Sequence, residues 1–402
     1  MKTKPPLLLQ PFQGVLPSRD KAHLVATRSY LSYSEYELQD KLSRNPYSYL
    51  HVIHPNGDLE SSKEPSSVRQ AYVSFLERGW LQRDARSNYY VLRQSGPMGT
   101  CTGVVGLVPT IEAKAGRIKV HEATLEHREA LFARYLSEVG LNAEPTLLAH
   151  AHNPLVDAAI GAVTSQLPDF DFTTADGIQH TLWKPSTSGL NQLKAAFETV
   201  EHAYIADGHH RVASSLRMAE AHPDQKRSHA FMALLVSGGE LMFRGFHRNV
   251  RMTDDQECKR VLATLPSLRG AHWIPGCNHT EPSEGSILLR GAINGELNVS
   301  EAIMDRGMTP AEWLQNDVLA PLFGIEEPRT DGRLEYIAGD IHQQALEDAA
   351  ADPQSLTFIM PSMTFEGLQK VADNGRYLPP KSTWIAPKLR SGMTLFDFGP
   401  AS

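Results

Sequence analysis

The apolar run Ala203-Tyr204-Ile205-Ala206 passes without a linker into Asp207-Gly208-His209-His210-Arg211 and then into a helical stripe from Val212 to Ala221. A strand that turns directly into a helix through a glycine belongs to layered α/β architecture, where sheet and helix bury their apolar faces against each other. The flanking sequence repeats this alternation. Residues 34 to 44 read as a helix opened by Ser34 and stopped by Asn45-Pro46. Tyr49 to Ile53 reads as a strand closed by the turn Pro55-Asn56-Gly57-Asp58, and residues 66 to 79 read as an amphipathic helix ending at Gly79. Tyr89 to Leu92 and Gly103 to Val108 are expected strands joined across Gly96-Pro97-Met98-Gly99. A helix over Thr124 to Leu136, a strand over Pro145 to Ala149 and a helical stripe over Gly189 to His202 lead back to Ala203. The next strand, Ala230 to Val236, is expected to pair with Leu241-Met242-Phe243, which places Asp207 to Arg211 at a sheet edge.

Around residue 251 the character changes to charged helical segments, Asp254 to Leu265 and Thr309 to Phe323, with short strands such as Ser286 to Leu289 between them. A chain of 402 residues exceeds the usual single-domain length. The expectation is an α/β (α+β) mixed-sheet core over 1–250, a second α/β lobe over 251–350, and a segment 351–402 that returns to the core.

Composition narrows the partners. A net charge of -7 argues against nucleic acid spread over the surface, because duplex binding needs clustered Lys and Arg. Cys101, Cys258 and Cys277 lie far apart and make no CxxC pair, so neither a disulfide framework nor a zinc ribbon is indicated and a cytoplasmic location is expected. Leu7-Leu8-Leu9 is too short for the core of a signal peptide, and no stretch approaches the ~20 apolar residues of a membrane span.

Three segments are candidates for chemistry. At the first, unpaired amides at the helix start and the helix dipole favour an anion, Gly208 allows close backbone approach, and Arg211 can grip a phosphate. Asp207 shares that turn, and His209 and His210 can donate hydrogen bonds or move a proton. The plainer alternative has Asp207 capping the helix and Arg211 paired with a carboxylate. The second segment is His121-Glu122, before the helix at Thr124. It lacks the second histidine four positions on that a zinc protease helix needs, so no resident metal is read there. Glu122 can act as a general base toward a hydroxyl or reach a phosphate-bound magnesium, or it can cap the next helix. The third is Pro380-Lys381-Ser382-Thr383, continuing to Lys388, where the lysine and hydroxyls can reach phosphate oxygens; without preceding glycines it is no Walker A loop, and its lysines can equally be solvated loop charges.

Asn45 to Val52, His121-Glu122-Ala123-Thr124, Ala206 to Arg211 and Leu378 to Thr383, in this order, resemble the bacterial domain of unknown function 1015 family over nearly the whole chain. The resemblance implies kinship with the ParB/sulfiredoxin superfamily, which works on nucleotides through a Gly-x-x-Arg turn, and with its free serine kinases. It implies a nucleotide-dependent phosphotransferase using ATP or ADP with Mg2+, acting on a small hydroxylated metabolite such as serine. Asp207, Gly208, His209, His210, Arg211, Lys381, Ser382 and Thr383 would then hold nucleotide and phosphate, and Glu122, His121, His209 and His210 would serve catalysis. The alternative is a ParB-like nucleotide-binding switch without metabolite turnover; a sulfiredoxin-like reading fails for want of a thiol at the turn. Whether the chain forms a homodimer is open. One departure stands out: where the family pattern has Pro-Pro-Tyr-Asp, this chain has Ala26-Thr27-Arg28-Ser29-Tyr30-Leu31.

Overall fold

A computed structural model of the chain describes residues 7–53, 65–304, 307–339, 342–352 and 354–401; the expected turn Pro55 to Asp58 lies outside the described residues. The chain divides into a first unit, Met1–Val120 with Thr124–Met242 and Pro387–Ser402, and a second, His121–Ala123 with Phe243–Ala386. The expected lobe of 251–350 therefore falls inside a longer insertion, and the segment that rejoins the first unit begins at Pro387.

Eight strands form the sheet of the first unit: β1 Tyr90–Gly96, β2 Gly99–Pro109, β3 Ile118–Lys119, β4 Thr146–His150, β5 Phe170–Thr173, β6 Gln179–Trp183, β7 Ala203–Asp207 and β8 Ala230–Ser237, in the order β3-β7-β4-β8-β2-β1-β6-β5. The sheet is mixed, since β8 runs parallel to β4 and antiparallel to β2. Strand β8 is apolar along almost its whole length because it is covered on both faces, and Phe231 to Val236 are all buried. Its core gathers Val104, Leu148, Ile205 and Leu235 from neighbouring strands with Leu193 and Phe197 from a helix.

Helices α1 Glu35–Arg44, α2 Leu50–Ile53, α3 Pro65–Glu77, α4 Glu126–Val139, α5 Pro154–Thr164, α6 Thr187–Phe197 and α7 His209–Ala221 belong to the same unit. Helix α1 starts where expected, because Ser34 and Glu37 close a reciprocal capping box. The expected strand at Tyr49 to Ile53 is instead the short helix α2. The Asn45 side chain accepts from the Tyr47 amide at 3.0 Å and the Ser48 hydroxyl from the Leu50 amide at 3.3 Å, and these local bonds wind the chain before it can extend. Two further expectations are corrected. Strand β7 is second from the edge, covered by the two-residue β3. Met242–Arg244 pairs with Trp384–Ala386 and not with β8, because a 3-10 turn at Gly238–Glu240 redirects the chain and the Glu240 carboxylate takes the Thr102 amide.

The last segment is anchored firmly within the first unit. Phe396 and Asp397 pair with Asn142 and Leu141, and the buried Asp397 carboxylate accepts from Arg69 at 2.8 Å, from the Tyr72 hydroxyl at 3.1 Å and from Arg83. Helix α4 ends on Gly140 in the left-handed conformation (φ 71°), where a Cβ would lie 2.1 Å from the Gly399 carbonyl carbon, so this close crossing needs glycine twice over.

The second unit carries a six-stranded antiparallel sheet of β9 His247–Arg251, β10 Ala271–Pro275, β11 Ser286–Gly291, β12 Gly295–Val299, β13 Leu334–Ile337 and β14 Ser355–Ile359, ordered β10-β12-β11-β14-β9-β13. One face packs Ile287, Leu289, Leu297 and Phe358 against Trp313, Leu314 and Val318. Leu288 and Ile359 form a smaller cluster of their own, and Glu296 stands opposite Leu288 in register.

Candidate functional site

Helix α7 opens on Gly208, which sits at φ 100° and puts no side chain over the first turn. Asp207 does not cap the helix, so that part of the plainer alternative fails. Just before it the β7 ladder slips against β4, with Ile205 opposite Leu148 and Asp207 opposite Leu147; the extra residue, Ala206, bends the strand end and re-aims Asp207. Gly208 has a second role. A Cβ there would meet Arg211 Nε at 2.7 Å, so only glycine lets the guanidinium fold back across the turn.

The folded-back Arg211 is the hub of a charged network. Its Nη2 donates to Asp207 at 2.6 Å, and its Nη1 donates to the Pro145 carbonyl at 2.9 Å and to the Glu144 carboxylate. Lys388 Nζ lies 3.3 Å from the other Asp207 oxygen, and the Ser391 hydroxyl donates to Glu144 at 3.1 Å. Two carboxylates thus face two cations, all partly open to solvent, from 20% for Glu144 to 47% for Lys388. Burial works to raise the Asp207 pKa, but Lys388 and Arg211 outweigh it and hold the carboxyl down at about 2, so Asp207 is ionised throughout the neutral range. Burial likewise opposes the charge on Arg211, and Glu144 and Asp207 overcome it.

His209 is buried within the first turn of α7, and the carbonyls of His210 and Arg211 accept from the hydroxyls of Ser214 and Ser215 one turn on. The segment Ala26 to Leu31 joins the same network through the backbone: Thr27 and Ser391 exchange amide hydrogen bonds of 3.1 and 2.9 Å. The Thr27 hydroxyl meets the Tyr33 hydroxyl at 3.2 Å, and Arg28 lies over the Tyr33 ring.

The other expected residues belong to the second unit. His121 is buried, and its carbonyl accepts from the Leu378 amide at 2.8 Å. Glu122 is half-buried and does not cap α4, whose N-cap is Leu125. Glu122 instead contributes to the electrostatics of Tyr336, whose hydroxyl burial pushes up while Arg248 and Arg329 act against it. Lys381 adopts a left-handed backbone (φ 55°) and lays its ammonium 5.2 Å from the centre of the Phe246 ring. The Ser382 hydroxyl is used in its own turn, donating to Pro379 at 2.7 Å, and Thr383 is half-buried. Sequence reasoning missed Glu144 and Ser391 as partners of the turn. The one available signal for Glu144 was its place before Pro145, at the start of a strand of the same sheet.

Fold and turn together define a mixed α/β protein with a charged, glycine-opened helix start beside its sheet. The chain belongs to the family described as protein of unknown function (DUF1015), whose profile matches residues 9–284. No curated protein matches it in sequence. Among solved structures it is similar to a free serine kinase mutant in complex with ADP, at 13% identity over 72% of this chain and 90% of that one, with a TM-score of 0.41. It is also similar to SbnI with C-terminal truncation from Staphylococcus aureus, at 13% identity, 70% and 82% coverage and a TM-score of 0.39. A conserved hypothetical protein from Pyrococcus furiosus follows at 14% identity, 70% and 92% coverage and a TM-score of 0.35. Likeness at this level assigns neither substrate nor site. Among the described residues, no helix is long and apolar enough to cross a membrane.

Proposed function

We propose that the start of α7 binds the phosphates of ATP or ADP and that the protein is a cytoplasmic phosphotransferase for a small hydroxylated metabolite, serine or a compound like it. The observation that carries this reading is Gly208: it opens a 13-residue helix with no capping side chain, and it leaves room for Arg211 beside Lys388. Helix-start amides and two cations supply the charge stabilisation that phosphoryl transfer asks for. Because Asp207 and Glu144 already balance those cations, the nucleotide is proposed to bring its own Mg2+, with Asp207 as the proposed carboxylate contact once Lys388 turns to the phosphates. The acceptor oxygen forms its bond to the terminal phosphorus as the bridging P–O bond breaks, and the hydroxyl proton needs an acceptor, the role we assign to Glu122 with His121. His209 and His210 are proposed to donate at the phosphates, and Lys381, Ser382 and Thr383 remain proposed phosphate contacts. The Gly208-x-x-Arg211 spacing is also what supports kinship with ParB/sulfiredoxin proteins.

Thermal-shift titration with ATP, ADP, CTP and GTP plus Mg2+, followed by transfer assays on hydroxylated metabolites, tests the reading. Stabilisation by a nucleotide that Lys388→Met weakens, together with transfer to an acceptor, is the expected result. In Glu122→Gln binding persists while turnover falls by ~10²–10⁴-fold. No stabilisation by any nucleotide overturns the proposal, and stabilisation without transfer to any acceptor turns it into the nucleotide-binding switch.

A further inference from the structure

The second unit holds a group of side chains that nucleotide chemistry leaves unused. Cys277, His279 and Glu296 each offer one donor atom, and the three atoms lie within 4.8 Å of one another. Cys277 Sγ is 3.2 Å from Glu296 Oε2, and His279 Nδ1 is 3.1 Å from the same oxygen. Tetrahedral zinc with bonds of about 2.0–2.3 Å sets its ligand atoms roughly 3.3–3.7 Å apart, so small side-chain movements suffice to admit an ion.

The frame around these atoms is built. Glu296 lies on β12, paired on one side with Ile274 of β10 and on the other with Leu288 of β11, so its backbone is fixed twice. Alternation along β12 sends Leu297 into the main core, and Glu296 stands on the opposite face, opposite Leu288, with only 6% of its side chain exposed. A carboxylate in such a place needs polar partners; here they are the Cys277 thiol and the His279 imidazole, and among the described residues no Lys or Arg pairs with it. Gly276 at φ 69° turns the chain after β10, with its amide on the Asn294 carbonyl at 2.9 Å, and brings Cys277 back over the sheet. Arg290 then pins the next ligand, donating through Nη2 to the His279 carbonyl and through Nη1 to Leu289 at 2.7 Å.

We propose that Cys277, His279 and Glu296 form a binding site for a divalent late transition metal, Zn2+ foremost, with a fourth position left to water or an exogenous ligand. One thiolate, one imidazole and one carboxylate match the borderline donor set of zinc and are poor ligands for Mg2+ or Ca2+. Binding releases the thiol proton, so affinity rises with pH.

The test uses the full-length, untagged protein. After chelator treatment and gel filtration, titration with Zn2+ against a competing chromophoric chelator measures stoichiometry, and Co2+ reports the ligands through its thiolate charge-transfer absorption and tetrahedral visible bands. One equivalent is expected, with the charge-transfer band lost in Cys277→Ser and retained in Cys258→Ser. Arg290→Met weakens affinity by about 10–100-fold without deleting a ligand, and Glu296→Gln weakens it at least as much. Circular dichroism checks that each variant is folded. Absence of stoichiometric binding, or a thiolate band that survives Cys277→Ser, overturns the assignment. With 17 histidines in the chain, weak binding that no variant alters counts as surface histidine binding and also overturns it.

Discussion

Two buried carboxylates, Asp397 in the first unit and Glu296 in the second, are matched differently, although the second unit also sets its buried Glu257 beside Arg260 and Arg333. In the first, Asp397 is 5% exposed and meets Arg69, Arg83 and Tyr72, while the more open Asp207 meets Arg211 and Lys388. In the second, Glu296 is equally buried but meets a thiol and an imidazole. A carboxylate matched by permanent cations of its own chain is electrostatically closed and is worth most to the fold. One matched by a thiol and an imidazole, without Lys or Arg, stays open to a cation from outside.

Asp397→Ala is the harshest way to break this comparison. It strands Arg69 and Arg83 and is expected to cost about 3–5 kcal/mol in urea unfolding of the first unit; a loss below 1 kcal/mol would mean that the pairing is not what anchors the last segment. Acid is the next probe. His180 is fully buried, and burial, reinforced by Arg390 and only partly offset by Asp176, lowers its pKa to about 4. The unfolded chain takes up this proton first, so the stability that neutral His180 protects is complete above about pH 6.5 and falls by about 3 kcal/mol on the way to pH 4. His180→Gln should flatten that slope, and an unchanged slope would place the acid sensitivity elsewhere.

Gly208→Val is expected to cost about 1–3 kcal/mol for the left-handed backbone and to abolish any nucleotide-dependent stabilisation, because the new side chain occupies the place of the Arg211 guanidinium. Wild-type nucleotide response in a folded variant would remove the turn from the site. Lys388→Met is the mildest change, about 0.2–1 kcal/mol for a half-exposed pair, and its signature lies in pH. The depressed Asp207 contributes stability that is present above its ordinary pKa of 3.8 and is lost as pH falls toward about 2. Without Lys388 the Asp207 resonance should titrate at higher pH by NMR, and that acid loss should shrink.

Much of the architecture was legible because it follows from local chemistry. The Ser34 capping box, the buried run of β8 and the hairpin at Gly96 to Gly99 each carry their cause within a few residues. Tyr49 to Ile53 misled because four apolar or β-branched residues fit a strand as well as a helical turn, and the deciding bonds come from Asn45 and Ser48 outside the run. At the turn, Gly208 and Arg211 were readable from their spacing. Glu144, Lys388 and Ser391 were not, since they reach Arg211 and Asp207 across separations of 67, 181 and, from Ser391 to Glu144, 247 positions. Only the order of the strands and the return of the last segment bring such residues together.

That return sets a timetable for synthesis. Roughly 140 residues of the second unit are made between Met242 and Pro387, which takes on the order of ten seconds at ribosomal rates. During that interval the first unit has Arg211, Glu144 and Asp207 in its chain but neither Lys388 nor Ser391, and Arg69 and Arg83 wait for Asp397. The helix start at Gly208 therefore gains its second cation only after the second unit has been made, so a product cut off before Lys388 would lack part of the turn's charge set.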